Sequence, residues 1–321
     1  MDPREAVQKM DSNTMTYGLI LPEQVKQFYT MIFDIAPFSQ QARKLRMTAK
    51  TGEIDKIYIG KRLVRPKHEA TGPGAYRAAN TFTRVPYTVA RLCLPWECSE
   101  EMFHDNIEGE ALEDKIMGMM TTQLGLDLED LHWNSDTDYT DDGDPYDPEN
   151  PEGDEEFLRL NDGWLKQIRN GGHIVVPGGY GNGNFVKDHL FAMYKAMPAK
   201  YFRTANVKWM MNQATRIAWV EMVSSRATGA GDLALLGTDV ANKPLGLEIV
   251  YCPSIPDGTI VLGDPQNFVI VNTWDVRIRK TVEGKDAIMN DMRYYSVFLD
   301  DDPIIQELDA TVICEGIDLP F

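Results

Sequence analysis

Opposite charges on two neighbouring segments constrain most strongly how this chain can fold. Residues 40–95 hold 12 basic and 3 acidic side chains, a net charge of +9, whereas residues 96–162 hold 2 basic and 23 acidic side chains, a net charge of −21. Each segment is too polar to build a hydrophobic core alone. We therefore expect the two surfaces to face each other, within one subunit or between neighbouring subunits. Two separately solvated faces are the alternative, because runs of charge usually lie in solvent.

The composition of the whole chain is typical of a folded protein with more than one part. Its 321 residues are 43% hydrophobic and 25% charged, and a chain of this length exceeds the size at which a single core stops growing. The net charge of −17 disfavours a protein that grips nucleic acid, so any contact with DNA should be weak and non-specific. The sequence has neither the pattern of a signal peptide at residues 1–5 nor an apolar run of membrane-spanning length, so we expect no secretion and no contact with a membrane.

Motifs for catalysis, metals and cofactors are absent from the sequence. Its four cysteines form no C-x-x-C pair, and its five histidines show no metal-binding spacing. We expect buried, reduced thiols and structural histidines. No nucleophile elbow and no phosphate-binding glycine loop occurs. We therefore predict a protein that is not an enzyme and needs no cofactor.

A long β-hairpin with a broad tip is predicted within the basic segment. Apolar and polar residues alternate over 53–64 and, less strictly, over 81–94, which predicts two strands. Proline and glycine at 65–74 exclude regular structure between them. A hairpin with so few apolar side chains is marginal alone, so we expect another surface to hold it.

A long helix is predicted directly after the hairpin. Ser99 is a candidate N-cap, and Glu100 and Glu101 complement the positive end of the helix. Apolar residues then recur four apart from Leu112 to Leu131, without a proline. At 1.5 Å per residue, about 33 residues would give a helix of about 50 Å.

The remaining chain mixes helices and strands, which predicts an α+β architecture. Helical patterns lie at 22–37, at 187–197 and after Asn212, a candidate N-cap. Strand-like runs occupy 207–211, 247–252, 268–272, 276–280, 294–299 and 310–314.

An acidic loop is predicted at residues 136–156, which hold 11 acidic side chains, no basic ones and three prolines. Six residues match the spacing of a calcium-binding loop, namely Asp138, Thr140, Asp142, Gly143, Asp144 and Glu149. The prolines at 145, 148 and 151 break the exiting helix that an EF-hand needs. We therefore predict a solvated loop, with loose cation binding as the alternative.

The order of these elements, a basic hairpin, a long acidic helix and an α+β body, resembles the Hong Kong 97 capsid fold. The sequence also resembles major capsid proteins of tailed bacteriophages in several stretches, namely 53–57, 85–89, 105–108, 127–131, 162–164, 208–212, 226–232 and 244–246. The resemblance implies an N-terminal arm at 1–45, an extended loop at 46–95 and a peripheral domain at 96–200 with its spine helix at 99–131. It further implies an axial domain at 201–290 and a return to the peripheral domain at 291–321.

The same resemblance implies the function. Hexamers and pentamers of a major capsid protein would assemble in the host cytoplasm into the icosahedral head shell of a virion, around double-stranded DNA. A separate scaffold, a portal and decoration proteins would be its other partners. In this fold the extended loop lies over a neighbouring subunit, so we predict charge pairing between subunits. The candidate contact residues are Lys61, Arg62, Arg65, Lys67, Arg77 and Arg84 on the basic side, and Glu100, Glu101, Glu108 and Glu113 on the acidic side.

Two departures from the family limit this comparison. The family member that cross-links itself joins a lysine of the extended loop to an asparagine in its C-terminal peripheral region. Here Lys61 and Lys67 exist, but no asparagine follows Asn290, so we expect no covalent cross-link. No long charged helical prosegment precedes the arm, which favours a separate scaffold or none. An encapsulin-type nanocompartment shell and a metal-dependent acidic hydrolase are the alternative functions.

Overall fold

The structure is a computed structural model that describes residues 38–58, 81–105, 111–140, 154–179, 184–203, 206–224, 243–274 and 276–319. The strands are β1 (Arg43–Arg46), β2 (Thr51–Tyr58), β3 (Thr81–Thr88), β4 (Ala90–Ser99), β5 (His173–Val175), β6 (Lys208–Met211), β7 (Ile249–Tyr251), β8 (Ile260–Gly263), β9 (Phe268–Asn272), β10 (Arg277–Thr281), β11 (Met292–Ile305) and β12 (Val312–Cys314). The helices are α1 (Glu100–Asp105), α2 (Ala111–Asn134), α3 (Glu155–Leu158), α4 (Trp164–Gly171), α5 (Lys187–Ala196), α6 (Gln213–Ser224) and α7 (Lys285–Asn290). None of these helices combines the length and the apolar character that crossing a bilayer requires.

The first sheet is organised around β11, its longest strand. Residues 292–301 of β11 pair antiparallel with β4 on one side, and 294–298 pair antiparallel with β10 on the other. The last part of β11, residues 302–305, pairs with β9, and β9 in turn pairs in parallel with β1. The strand therefore connects two smaller sets of strands into one sheet.

Helix α2 packs its apolar stripe against one face of this sheet. Leu124, Leu128 and Leu131 of α2 share a core with Val297 and Leu299 of β11. The stripe follows the i, i+4 spacing seen in the sequence, which places these side chains on one side of the helix. The long helix is thus fixed along the sheet by burial.

Four aromatic side chains close the core where the chain enters the first sheet. Phe38, Trp133, Trp164 and Phe268 are fully buried. Their ring centroids lie 4.9–5.6 Å apart, mostly edge to face, in the arrangement that aromatic pairs prefer. Residue 38 is thereby anchored to the end of α2 and to α4.

The second sheet has the order β5-β12-β8-β6-β7 and its own core. Leu190 and Met193 of α5 pack there with Trp209 of β6. The turn before β8 depends on Gly258, whose φ is +71° and where a Cβ atom would lie 2.2 Å from the carbonyl oxygen of Ile317. Only glycine allows this close approach, so the turn and the segment after β12 are held together.

The extended hairpin is confirmed as the antiparallel pair β2 and β3, in the register Thr51 to Thr88 through Tyr58 to Thr81. Its tip, residues 59–80, lies outside the described residues. At its base, Tyr87 packs with Val269, Val271 and Ile304 in a small apolar cluster. The first sheet is therefore the surface that holds the base of the hairpin.

Buried acidic side chains lie where β11 meets α2 and β3. Nε2 of His132 lies 2.6 Å from Oδ2 of Asp301, and both side chains are fully buried. Burial raises the pKa of Asp302 to about 7, although its carboxylate accepts a hydrogen bond from the N–H of Thr88. Burial likewise raises the pKa of Glu129 to about 7, and a hydrogen bond with the main chain of Phe38 partly counteracts this rise. Both carboxyl groups therefore bind a proton at a higher pH than an exposed carboxyl group does.

Several element boundaries differ from the predictions. The predicted strand 81–94 is two strands, β3 and β4, because the chain leaves the hairpin at Val89 and joins β11. The helix predicted to end at Leu131 continues to Asn134, whose side-chain amide donates to the carbonyl oxygen of Ser254. Ser99 caps the short helix α1, since its Oγ accepts from the N–H of Met102. Residues 106–110, between α1 and α2, lie outside the described residues, so a single helix over 99–131 stays a prediction. The Asn212 cap of α6 is confirmed as well, since its Oδ1 accepts from the N–H of Thr215.

Other predictions fall outside the described residues or need correction. The helix predicted at 22–37 and most of the arm 1–45 lie outside them. The prediction of buried thiols is wrong for Cys93, which is exposed because alternate residues of β4 face solvent; the other three cysteines are buried. The domain boundaries stay a prediction. By strand pairing, β9 and β10, from the predicted axial range, lie in the first sheet, while β12, from the predicted return segment, lies in the second.

Candidate intersubunit surface

The structure describes four of the ten predicted contact residues, namely Arg84, Glu100, Glu101 and Glu113. The other six lie outside the described residues, namely Lys61, Arg62, Arg65, Lys67, Arg77 and Glu108. Their contacts therefore stay a prediction. The four described residues fall into two groups, one on the hairpin and one at the start of the spine helix.

Arg84 pairs with acidic residues of its own hairpin. Its guanidinium lies 2.8 Å from Oε2 of Glu53 and 3.2 Å from Oδ1 of Asp55, across the strand pair. All three side chains are more than half exposed, so these pairs contribute only about 0–1 kcal/mol each. A carboxylate of a neighbouring subunit could replace them at little cost.

Lys56 fixes the other face of the hairpin to the body of the subunit. Its Nζ lies 2.6 Å from Oε2 of Glu307 and 3.2 Å from the carbonyl oxygen of Gln306. The side chain of Lys56 is 18% exposed, so this contact is better shielded than those of Arg84. Together with the apolar cluster at Tyr87, it determines the direction in which the hairpin leaves the first sheet.

Glu100 and Glu113 form an ion-pair network with two basic residues of the first sheet. Arg293 of β11 makes two parallel contacts with Glu100, of 2.6 Å from Nε and 2.7 Å from Nη2, and a third of 3.1 Å with Glu113. Nζ of Lys280, on β10, lies 2.6 Å from the other oxygen of Glu113. We call these four residues the spine network, because they join both helical segments of the spine to two strands.

The spine network is partly buried, and this strengthens its electrostatics. Lys280 is 6% exposed and Glu113 is 15% exposed. The hydrogen bond from Arg293 holds the pKa of Glu100 below its ordinary value. The guanidinium of Arg293 also lies 4.3 Å from the ring centroid of Phe103, a cation–π contact that shields one face of the pair. This network therefore stabilises the folded subunit, and the intersubunit role of Glu100 and Glu113 stays a prediction.

Glu101 differs from its neighbours. Its side chain is exposed in the first turn of α1, and no basic side chain among the described residues forms an ion pair with it. It is the one described acidic candidate that could pair with a neighbouring subunit without breaking an internal contact.

Lys166 forms ion pairs with aspartates at the start of the acidic loop. Nζ of Lys166 lies 2.6 Å from Asp136, 2.8 Å from Asp138 and 2.8 Å from Asp162. Burial alone would lower the pKa of Lys166, but hydrogen bonds to the three aspartates raise it overall. Asp138, the first position of the calcium-loop pattern, is thus neutralised by a side chain. Residues 141–153 lie outside the described residues, and the described ones hold no group of three metal-ligating side chains.

Sequence reasoning missed the basic half of the spine network. Lys280 and Arg293 lie 167 and 180 residues from Glu113 in the chain. Nothing in a single sequence links charges so far apart. The sequence does indicate a strand with a basic outer face at 277–279, where Arg277, Ile278 and Arg279 alternate. Charge counts over long segments did not reveal it, because acidic residues elsewhere in the same segment cancel these charges.

Comparisons with known proteins agree with this architecture. A model of the Phage capsid family matches residues 163–300. A putative prophage capsid protein, YqbE of Bacillus subtilis strain 168, is 24% identical over 293 residues, which cover 87% of this chain and 88% of that protein. The chain is thus similar to phage capsid proteins, in one family model over residues 163–300 and in one prophage protein over most of its length.

Solved structures show the fold of this chain. The chain resembles a subunit of the procapsid of satellite phage P4 with a TM-score of 0.61, at 13% identity, over 92% of this chain and 99% of that one. It resembles the capsid subunit of an empty GTA particle with a TM-score of 0.59, at 14% identity, over 88% of this chain and 90% of that one. A structure from Gordonia phage Cozz matches with a TM-score of 0.57, at 12% identity, over 87% of this chain and 86% of that one. The predicted Hong Kong 97 fold is confirmed.

Proposed function

We propose that this chain is a major capsid protein of a tailed phage, which forms the shell of the phage head. It assembles in the host cytoplasm into hexamers and pentamers, and these tile an icosahedral shell around double-stranded DNA. The charge map supports this proposal best. A basic segment of +9 and an acidic segment of −21 lie next to each other in the chain, and the base of the hairpin is held on the first sheet by Tyr87 and Lys56. Most of the basic candidates belong to residues 59–80, between the two strands of this hairpin in the sequence.

The hairpin tip is proposed to lie on the acidic surface of the neighbouring subunit. Each exposed pair would contribute only about 0–1 kcal/mol, so the contact gains strength through repetition around a ring and specificity through charge complementarity. Glu101 is exposed for such a contact. Glu100 and Glu113 already pair with Arg293 of their own subunit, so they would have to bind this arginine and the neighbouring subunit together. Separate scaffold, portal and decoration proteins complete the proposed set of partners. Because the chain is acidic overall, packaged DNA would be enclosed with weak, non-specific contacts.

Assembly of the purified full chain tests the proposal. Negative-stain microscopy and light scattering should reveal rings of six and five subunits or closed shells. If the chain stays monomeric with phage scaffold present, the proposal fails. Double-stranded DNA in particles isolated from infected or induced cells supports the phage head, whereas protein cargo in its place would indicate an encapsulin-type shell.

Charge reversal tests the hairpin contact separately. The triple variant Arg62→Glu, Arg65→Glu, Arg77→Glu should lower the yield of shells strongly, and high salt should weaken wild-type assembly because exposed charges are screened. A matched control reverses three exposed lysines elsewhere, Lys187, Lys195 and Lys285, with the same change in net charge. If the shells of both variants assemble and survive heating equally well, the charges of the hairpin do not hold neighbouring subunits together.

A further inference from the structure

The outer face of the first sheet carries cations and aromatic rings, which we call the basic face: Lys50, Arg91, Trp274, Arg277, Arg279 and Phe298. In the sheet register, Phe298 of β11 lies between Arg277 of β10 and Cys93 of β4. Alternate residues of these strands, such as Ile278 and Val297, are buried in the core on the other face. The basic face is therefore the solvent side of a sheet whose inner side packs against α2.

Aromatic rings hold the cations of the basic face in position. The guanidinium of Arg277 lies 4.1 Å from the ring centroid of Trp274, that of Arg91 lies 5.3 Å away, and Nζ of Lys50 lies 5.5 Å away. Arg91 and Arg279 lie 5.5 and 5.9 Å from the ring centroid of Phe298. These cation–π contacts orient the cations without neutralising them.

The buried carboxylate of Asp300, beside the basic face, is used by the backbone. Asp300 lies opposite Arg91 in the register, but it is 4% exposed. Its Oδ1 accepts from the N–H groups of Thr273 and Trp274, at 3.1 and 2.9 Å. Asp300 thereby fixes the loop that presents the Trp274 ring.

No acidic side chain within the described part of the chain forms an ion pair with Lys50, Arg91, Arg277 or Arg279. This is unexpected in a protein with 49 acidic and only 32 basic residues. Four oriented cations on a solvent-facing sheet therefore indicate an anionic partner.

We propose that the basic face binds the acidic segment 141–153 of a neighbouring copy of this chain. This segment holds six acidic residues and no basic one, so its charge is complementary to that of the face. Every subunit supplies one segment and one face, which gives a one-to-one contact in any closed shell. The proposal rests on the proposed function, because only an assembly brings neighbouring copies together.

The spacing of prolines favours this segment over DNA as the partner. Pro145, Pro148 and Pro151 recur at every third residue, and a polyproline II helix has three residues per turn, so that such prolines share one face. Proline-rich segments of this type dock on aromatic surfaces, which Trp274 and Phe298 provide. DNA would use the four cations but would meet the repulsion of a subunit with a net charge of −17.

The exposed thiol of Cys93 allows a direct test by disulfide trapping. Cys93 is the only exposed cysteine among the four, and it lies beside Phe298 on the basic face. In assembled Asp144→Cys protein, copper–phenanthroline in air should oxidise the two thiols to one disulfide, with oxygen accepting the two electrons. Dimers and higher species on a non-reducing gel would support the proposal.

The controls separate the alternatives. Cys93→Ser, Asp144→Cys protein should give no such species, and wild-type protein should stay monomeric on the gel. A cross-linked monomer that migrates faster would place the segment on its own subunit and overturn the proposal. Shells without any cross-link to Cys93 would overturn it too.

Charge exchange provides the second test. The variant Arg277→Glu, Arg279→Glu should lower the yield of shells by about tenfold, because like charges then face each other in every subunit. Adding Asp144→Lys and Asp147→Lys should restore the yield. The matched control Lys187→Glu, Lys195→Glu has the same net charge and should assemble normally. Absence of rescue would overturn the proposal, and normal shells that lose double-stranded DNA would identify DNA as the partner instead.

A labelled peptide of residues 140–153 tests the contact without assembly. It should bind unassembled wild-type protein, lose affinity as salt is raised, and bind the Arg277→Glu, Arg279→Glu variant at least about tenfold more weakly. Equal binding to both proteins would overturn the proposal. Because this measurement needs no shell, it separates a failure of the contact from a failure of the proposed function.

Discussion

Replacing Arg293 with methionine should measure how strongly the spine network holds the long helix on the first sheet. The substitution keeps most of the apolar stem and removes the guanidinium. Three hydrogen bonds are lost, two to Glu100 and one to Glu113. Lys280 still contacts Glu113, so one carboxylate keeps a partner.

The magnitude follows from partial burial. A hydrogen bond to a charged group contributes about 1.5–3 kcal/mol in a shielded site, and an exposed ion pair about 0–1 kcal/mol. Arg293 is 23% exposed and Glu100 is 32% exposed, so we expect Arg293→Met to lower the free energy of unfolding by about 2–3 kcal/mol. Arg293→Lys should recover about half of this loss, because an ammonium cannot make the paired contact with Glu100.

Urea unfolding of unassembled subunits, followed by tryptophan fluorescence, measures this loss as a shift in midpoint at constant slope. A change below about 0.5 kcal/mol for Arg293→Met, within the usual range for a surface substitution, would refute the reasoning. If unassembled subunits are unaffected while assembled shells melt at a lower temperature, Glu100 and Glu113 act between subunits, as the sequence pattern predicts.

Three further predictions concern the core, protonation and the acidic loop. Phe38→Ala should lower the free energy of unfolding by about 3–5 kcal/mol, because it opens a cavity among buried aromatic rings, and Phe38→Leu should lose less in the same urea titration. The pKa of Glu129 is about 7 against an ordinary 4.5. The stability that its protonation gives is therefore complete below about pH 4 and is lost as the pH rises through 7. Glu129→Gln should flatten this decline, and its free energy of unfolding at pH 8 should exceed that of the wild type by about 2 kcal/mol. Lys166→Met removes the cation between three aspartates and should speed proteolysis in the acidic loop, whereas Lys166→Arg should restore protection; equal cleavage rates would contradict the role of Lys166.

The hairpin and the spine helix could be predicted because their signals are local. Alternation at 53–64 and 81–94, the Ser99 cap and the i, i+4 stripe each lie within a short window of sequence. The fold class followed from the order of these elements. The short strand β8 gave no such signal, because all four of its residues are buried and its sequence has no alternation to detect.

Tertiary contacts determine the elements that the sequence did not predict. The predicted strand 294–299 extends to Ile305 through Asp300, Asp301 and Asp302, residues that are rare within strands. They are tolerated because His132 and the N–H groups of Thr88 and Thr273 satisfy their carboxylates. The partners of Glu100 and Glu113 could not be predicted either, because they lie on strands more than 160 residues later in the sequence.

The central position of β11 has a consequence for the timing of synthesis. β4 finds its partner only when residues 292–301 have left the ribosome, and the second sheet needs β12, at 312–314, between β5 and β8. Neither sheet can close while the chain is still growing through these residues, because contacts so distant in sequence form late. A nascent subunit therefore lacks both completed sheets, and with them the rigid surfaces of the folded body, until residue 314 has left the ribosome.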